Sequence, residues 1–289
     1  MKKKSNLLLR TVTGLVFIAV IIGVPLLGLD AFRVLFLIIA CLTAAELVKL
    51  VRQSGAARLD TVSVSLLTVA TCVTTSVIAL GIDATAAACV TVMLFVITFI
   101  SHLYRRDAHP VNELAYTVFV QAYAVLPFAL IQFLAIEVDA FGSITYSPLL
   151  PLAMFAFIWA NDTGAYCIGS AIGRTKLFPR ISPHKTWEGT IGGVVVAMAA
   201  AYIFSICSDT FSAASPAANL AAWLGMALTV SVFGTYGDLV ESMMKRAWGV
   251  KDSGNILPGH GGMLDRFDST IFAIPATVAY VKIIETLLL

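Results

Sequence analysis

The sequence predicts an all-α, polytopic integral membrane protein with about nine transmembrane helices, its N-terminus in the cytoplasm and its C-terminus outside. Three observations carry the prediction. The 289-residue chain is 59% hydrophobic and only 12% charged, with a mean hydropathy of +0.90, which is membrane composition. Its apolar residues fall in runs of about 17–25, the length that crosses a hydrocarbon core. Its basic residues gather in alternate connections, as retention of positive charge on the cytoplasmic side requires. Lipid offers backbone amides no partners, so the spans must be helices; strict strand alternation is absent from the sequence.

The apolar runs lie at 11–29, 31–50, 61–82, 84–103, 114–136, 148–170, 189–208, 218–240 and 269–288. Basic residues occupy the leader "MKKKSNLLLR", then 49–58 (Lys49, Arg52, Arg58), 104–106 (Arg105, Arg106), 174–185 (Arg174, Lys176, Arg180, Lys185) and 245–266 (Lys245, Arg246, Lys251, Arg266). The intervening connections, around Asp30, Asp83, Glu137 with Asp139, and Asp209, are short and mostly acidic. Of the 19 basic residues only Arg33 and Lys282 break the alternation. A signal peptide is a poor account of the first run: no small-residue cleavage site follows, and "GVPLLGLD" leads directly into the next run. The five cysteines, Cys41, Cys72, Cys89, Cys167 and Cys207, show no paired spacing, so neither a disulfide framework nor a zinc site is expected. A net charge of +2 leaves no nucleic-acid footprint. Topology explains the basic loops, and gathering of anionic headgroups is a second use for them.

No repeat, linker or low-complexity tract divides the chain, which reads as a single membrane domain over 1–289. Residues 1–145 are expected to be mainly scaffold spans, with Glu46 their main ionisable group. Residues 146–289 are expected to form the catalytic region, with cytoplasmic loops at 172–188 and 241–268. Three stretches there put polar groups where hydrocarbon is expected. An ionised carboxylate at mid-membrane costs about 2.5–3.5 kcal/mol on insertion scales, so each calls for a partner or a watery cavity.

In "FIWANDTGAYCIGSAIGR", Asn161 and Asp162 interrupt the sixth run. In "GTYGDLVESMMKR", Asp238, Glu241, Ser242 and Lys245 stack on one helical face; for Glu241 with Lys245 a simple helix-stabilising pair is an equal account. In "GHGGMLDRFDS", Gly259, Gly261 and Gly262 let backbone amides converge on a phosphate. Asp265 and Asp268 follow at i, i+3, and two oxygen donors beside a phosphate loop suit Mg²⁺, although a first-turn acid equally accounts for Asp268. His260 is as good a hydrogen-bond donor as a base. The earlier loop, "GRTKLFPRISPHKTWEGTIGG", sets Ser182, Lys185, Thr186 and Glu188 before an apolar helix whose free amides can receive an anion; an ordinary capped helix start is the plainer reading. His184 is a loop residue. No Walker motif or GxGxxG is present.

The segment "SMMKRAWGVKDSGNILPGHGGMLDRFD" resembles the signature of phosphatidate cytidylyltransferases, also called CDP-diacylglycerol synthases. It carries Ser242, Lys245-Arg246, Lys251-Asp252, His260-Gly261-Gly262, Asp265-Arg266 and Asp268 at the family's spacing. "NDTGAYCIGSAIGRTKL" and "ISPHKTWEGTIGG" resemble the family as well, with His184 where many relatives have Lys. The resemblance covers most of the chain and is strongest from about 155 to 270. It implies the reaction of CTP with phosphatidate to give CDP-diacylglycerol and pyrophosphate, dependent on Mg²⁺ with K⁺ alongside. It implies a homodimer in a bacterial-type plasma membrane, with the active site open to the cytoplasm. Asp238 and Asp265 match the acids of the family's metal centre, with Asp268 nearby in sequence. Lys245, Arg246, Lys251 and Arg266 would supply positive charge. Lys185 with Ser182, Thr186 and Glu188 would hold one anion; Asn161, Asp162, Ser242, His260, Gly261 and Gly262 would line or bind the nucleotide. Two rivals use the same features: a CTP-dependent polyprenol or phytol kinase, and a transporter, which acids within spans also mark.

Overall fold

The computed structural model describes residues 2–105, 109–211, 215–254, 256 and 261–288. Arg106, Gly259 and His260, singled out above, lie outside the described residues. Every apolar run falls on a helix. In chain order these are α1 (Lys2–Gly23), α2 (Leu29–Gln53), α3 (Thr61–Ala79), α4 (Thr85–Leu103), α5 (Pro110–Val120), α6 (Leu126–Leu130), α7 (Leu149–Ile172), α8 (Trp187–Cys207), α9 (Pro216–Ala247) and α10 (Leu264–Leu288). Two short antiparallel hairpins join them, β1 (Ile136–Val138) with β2 (Ile144–Tyr146), and β3 (Lys176–Phe178) with β4 (Ser182–Thr186).

Among the described residues seven helices are long and apolar enough to cross a membrane: α2, α3, α4, the composite Pro110–Leu134, α8, α9 and α10. The apolar stretch Thr11–Leu27, which takes in the end of α1 and a 3₁₀ turn at Pro25–Leu27, is shorter. α7 has the length, at 24 residues, but Asn161 and Asp162 dilute its apolar character. The protein is thus a predominantly helical, multi-pass membrane protein in which Asn161 and Asp162 interrupt the apolar run of one helix, α7.

Local chemistry sets the boundaries. Asp60 caps α3, its carboxylate accepting from Ser63 N at 3.0 Å, and Pro110 opens α5 where its missing N–H costs nothing. The run expected at 114–136 is not one regular helix: a π-helical turn at Gln121–Val125 and a 3₁₀ turn at Ile131–Leu134 flank α6, and Pro127, which has no backbone N–H to donate, sits just after the π turn. Of the two long loops, 241–268 is shorter than expected and 172–188 holds a hairpin. α9 continues through Lys245 and Arg246 to Ala247, α10 begins at Leu264, and 172–188 folds mostly as the β3–β4 hairpin. Asp265 and Asp268 therefore lie within α10.

The chain divides into two compact units, Met1–Pro148 with Ala247–Phe267, and Leu149–Arg246 with Asp268–Leu289. In the first unit Phe32, Phe36, Leu47, Leu67 and Phe128 are buried, and Phe267 packs its ring against Phe17 and Phe128 at 5.5 and 5.3 Å. In the second unit Trp223 is fully buried among Phe157, Phe204 and Phe211, with ring centroids at 6.1, 5.3 and 5.2 Å. α7 and α8 approach closely along small residues: a Cβ added at Gly193 would stand 2.6 Å from the Asn161 carbonyl oxygen, and one at Gly164 2.8 Å from Val196. Membrane helices gain contact in this way where no hydrophobic drive separates helix from lipid.

Candidate active site

In the second unit, α7, β4, α8 and α9 enclose a cavity of about 530 Å³. Asn161 and Asp162 reach it from α7, His184, Lys185 and Thr186 from β4, and Asp238 from α9. The polar interruption of α7 is thus explained: its side chains line a cavity instead of facing lipid. Lys185 Nζ stands 2.6 Å from Asp238 Oδ2, with the two side chains 28% and 29% exposed. Ser242, one helical turn beyond Asp238, donates from Oγ to Asp238 Oδ1 at 3.2 Å. Asn161 is buried, and its Oδ1 has no hydrogen-bond partner.

The β3–β4 hairpin delivers Lys185 to this cavity, and its base is tied to α8. Lys176 pairs with Thr186, and the Glu188 carboxylate accepts from Arg174 N at 3.1 Å and Thr175 N at 3.0 Å. Thr186 caps α8 through a hydrogen bond from Gly189 N at 3.2 Å. Glu188 and Thr186 therefore shape the presentation of Lys185, a role that spacing alone did not distinguish from anion binding. Ser182, at the start of β4, is half-buried; Lys245 pairs with Glu241 at 3.3 Å, and Arg246 is exposed. Asp268 Oδ1 accepts from the following amide, Ser269 N, at 2.6 Å, and Gly237 lets α9 and α10 meet where a Cβ would lie 2.5 Å from the Asp268 carbonyl.

The first unit holds Lys251, Gly261, Gly262, Asp265 and Arg266; Lys251 and Arg266 are exposed. Asp265 Oδ2 accepts two backbone amides, Ser253 N and Gly262 N, each at 2.9 Å. Gly261 has a φ of +86°, a region costly for other residues, and a Cβ there would stand 2.7 Å from Asp265 Oδ2. The glycines of this motif thus let the backbone fold onto a carboxylate. Sequence reasoning gave no site role to two residues here, Glu46 and Ser253, which meet each other across more than 200 positions. The one visible signal was a lone carboxylate in the apolar run of α2.

The arrangement gives one cavity with a cation and two carboxylates, and one glycine loop folded on a third carboxylate. Carboxylate oxygens of this kind are the donors a hard divalent ion takes, and the Lys185 ammonium is the group suited to a phosphate. Among the described residues no group of three or more His, Cys, Asp or Glu is placed to hold a metal ion.

Against known families, residues 8–284 match the cytidylyltransferase family, and the chain belongs to it. It is 52% identical over 118 residues to a phosphatidate cytidylyltransferase of Bacillus subtilis (strain 168), covering 41% of this chain and 42% of that protein. It is 48% identical over 135 residues to a phosphatidate cytidylyltransferase of Staphylococcus saprophyticus, covering 45% and 49%. The matched stretches thus span less than half the length of these relatives.

Proposed function

We propose that the protein is a membrane-embedded nucleotidyltransferase that moves the cytidylyl group of CTP to phosphatidate, giving CDP-diacylglycerol and pyrophosphate for phospholipid synthesis. The observation that carries the reading is the cavity of Lys185, Asp162 and Asp238 in a chain that matches the cytidylyltransferase family over nearly its whole length. The names of the relatives support the choice of substrates.

In this reaction a phosphatidate oxygen forms a bond to the α-phosphorus of CTP while the bond from that phosphorus to the β-bridging oxygen breaks. The attacking group is already an anion, so no strong general base is required. What the step needs is in-line placement and neutralisation of charge. Lys185 supplies a cation at the cavity, and Lys245, Arg246, Lys251 and Arg266 supply further positive charge to the triphosphate or the lipid phosphate. Asn161 offers a buried acceptor, and Ser242 steadies the Asp238 carboxylate. Asp238 and Asp265, with Asp268, would hold Mg²⁺, with K⁺ alongside; when bound, the divalent ion polarises phosphoryl oxygens and offsets charge on the leaving group. The same reading places the cavity on the cytoplasmic side of a bacterial inner membrane and makes the enzyme a homodimer.

The reading is tested with purified protein in detergent, phosphatidate, Mg²⁺ and K⁺. Formation of a lipid-soluble, cytidine-containing product together with pyrophosphate supports it; phosphorylation of an added prenol, or no nucleotide-dependent chemistry, contradicts it.

A further inference from the structure

Glu46 is 3% exposed on α2, a helix whose composition marks it as scaffold. A carboxylate there needs donors, and each described donor comes from far along the chain. Met263 N donates to Glu46 Oε2 at 2.6 Å, and Ser253 Oγ donates to Oε1. Asp265 grips the same residues, since its Oδ2 accepts from Ser253 N and Gly262 N, and its own amide donates to Ser253 Oγ at 3.3 Å. Ser253, at the entry of the signature loop, and Gly262 with Met263, at its exit, are thus tied together between two carboxylates. Space is reserved for the tie: a Cβ at Gly254 would stand 2.8 Å from Glu46 Oε1, and one at Gly262 would fall on the Glu46 carboxylate and on Ser253 Oγ.

We propose that Glu46 is a positioning residue for the reaction: it ties Ser253 to Gly262 and Met263 and so sets how Lys251, Gly261 and Asp265 are presented to the nucleotide. Holding side chains in place before a ligand arrives lowers the ordering cost of binding, and without the tie that cost falls on the nucleotide when it binds. The first half of the chain then contributes directly to nucleotide affinity through α2. The kinetic part of this inference rests on the cytidylyltransferase reading; the structural part does not.

The test uses the full chain in detergent, as wild type, Glu46→Ala, Glu46→Gln and Ser253→Ala. Hydrogen–deuterium exchange of the peptide over 253–265 is read beside KM for CTP and kcat in the monodisperse fraction. Glu46→Ala is expected to speed exchange in that peptide and leave α7 and α8 unchanged. It should also raise KM for CTP by about tenfold, the equivalent of one lost charge-assisted hydrogen bond. Glu46→Gln keeps an acceptor for Met263 N and is expected to recover most of both. Ser253→Ala removes one arm of the tie and gives a smaller change of the same sign, which keeps the test open should Glu46→Ala not fold. Unchanged exchange overturns the tie. Faster exchange with KM and kcat held, or a loss confined to the yield of folded protein, overturns the positioning role. A wild-type protein without cytidylyl transfer overturns the functional reading instead, and the exchange arm still decides the tie.

Discussion

Replacing Lys185 by Gln removes the cation that faces Asp238 at 2.6 Å. At an effective dielectric of about 20, two unit charges at that distance attract by about 6 kcal/mol, before the hydration that both charges lose is subtracted. Fully exposed pairs contribute about 0–1 kcal/mol, and breaking a fully buried pair costs about 3–5 kcal/mol. With both side chains a little under one-third exposed, the expected loss for Lys185→Gln is about 2 kcal/mol. Adding Asp238→Asn removes the stranded carboxylate, so the double variant should be more stable than the sum of the single losses by about 1 kcal/mol or more. Activity should behave differently. In the proposed reaction Lys185 and Asp238 have separate tasks, so each single variant should lower kcat/KM by at least about 100-fold, near 2.7 kcal/mol, and the double variant should not recover. Thermal unfolding in detergent, followed by tryptophan fluorescence, reads stability, and transfer of labelled cytidylyl to lipid reads activity. Additive stability losses, or turnover that returns in the double variant, would refute the reasoning.

Asp265→Asn keeps an oxygen for Ser253 N and Gly262 N, so exchange in the 253–265 peptide should stay close to wild type while turnover is lost; Asp265→Ala should lose both, and near wild-type turnover in Asp265→Asn would contradict the metal assignment. Gly193→Ala places a methyl 2.6 Å from the Asn161 carbonyl oxygen and 2.8 Å from its Oδ1, and the forced separation of α7 from α8 should cost about 1–3 kcal/mol, seen as a lower unfolding temperature. Thr186→Ala deletes the cap on Gly189 N and should cost about 1 kcal/mol, with a rise in KM as the β4 end carrying Lys185 loosens. Chelation of divalent ions should abolish turnover, and added Mg²⁺ should restore it.

Much of this architecture is legible in the sequence because lipid leaves few choices. A run such as 31–50 has to be a helix, and α2 covers it with a few residues added at each end. Ends are less legible: α9 runs on through Lys245 and Arg246 because charged residues at a helix terminus stay helical while hydropathy falls. The break inside Pro110–Leu134 is invisible to hydropathy, since a π-helical turn and a 3₁₀ turn have the same composition as the α-helix around them. The β3–β4 hairpin is too short for alternation to mark it. Within the site, Asn161, Asp162 and Asp238 were marked by their cost in hydrocarbon and Lys185 by its place before a helix start, and the structure places all four on one cavity. The tasks of Glu188, Ser253 and Glu46 were not legible. Glu188 accepts from backbone amides, and Glu46 accepts from the Met263 amide and the Ser253 hydroxyl across more than 200 residues; side-chain spacing carries no record of such partners.

The most direct test of the central claim follows the label. Purified protein receives phosphatidate, Mg²⁺, K⁺ and CTP labelled on either the α- or the γ-phosphate, and the organic phase is counted. The account predicts that only the α label enters the lipid, with pyrophosphate released in equal amount. Label entering from the γ-phosphate, or from neither position in protein shown to be folded, would contradict it.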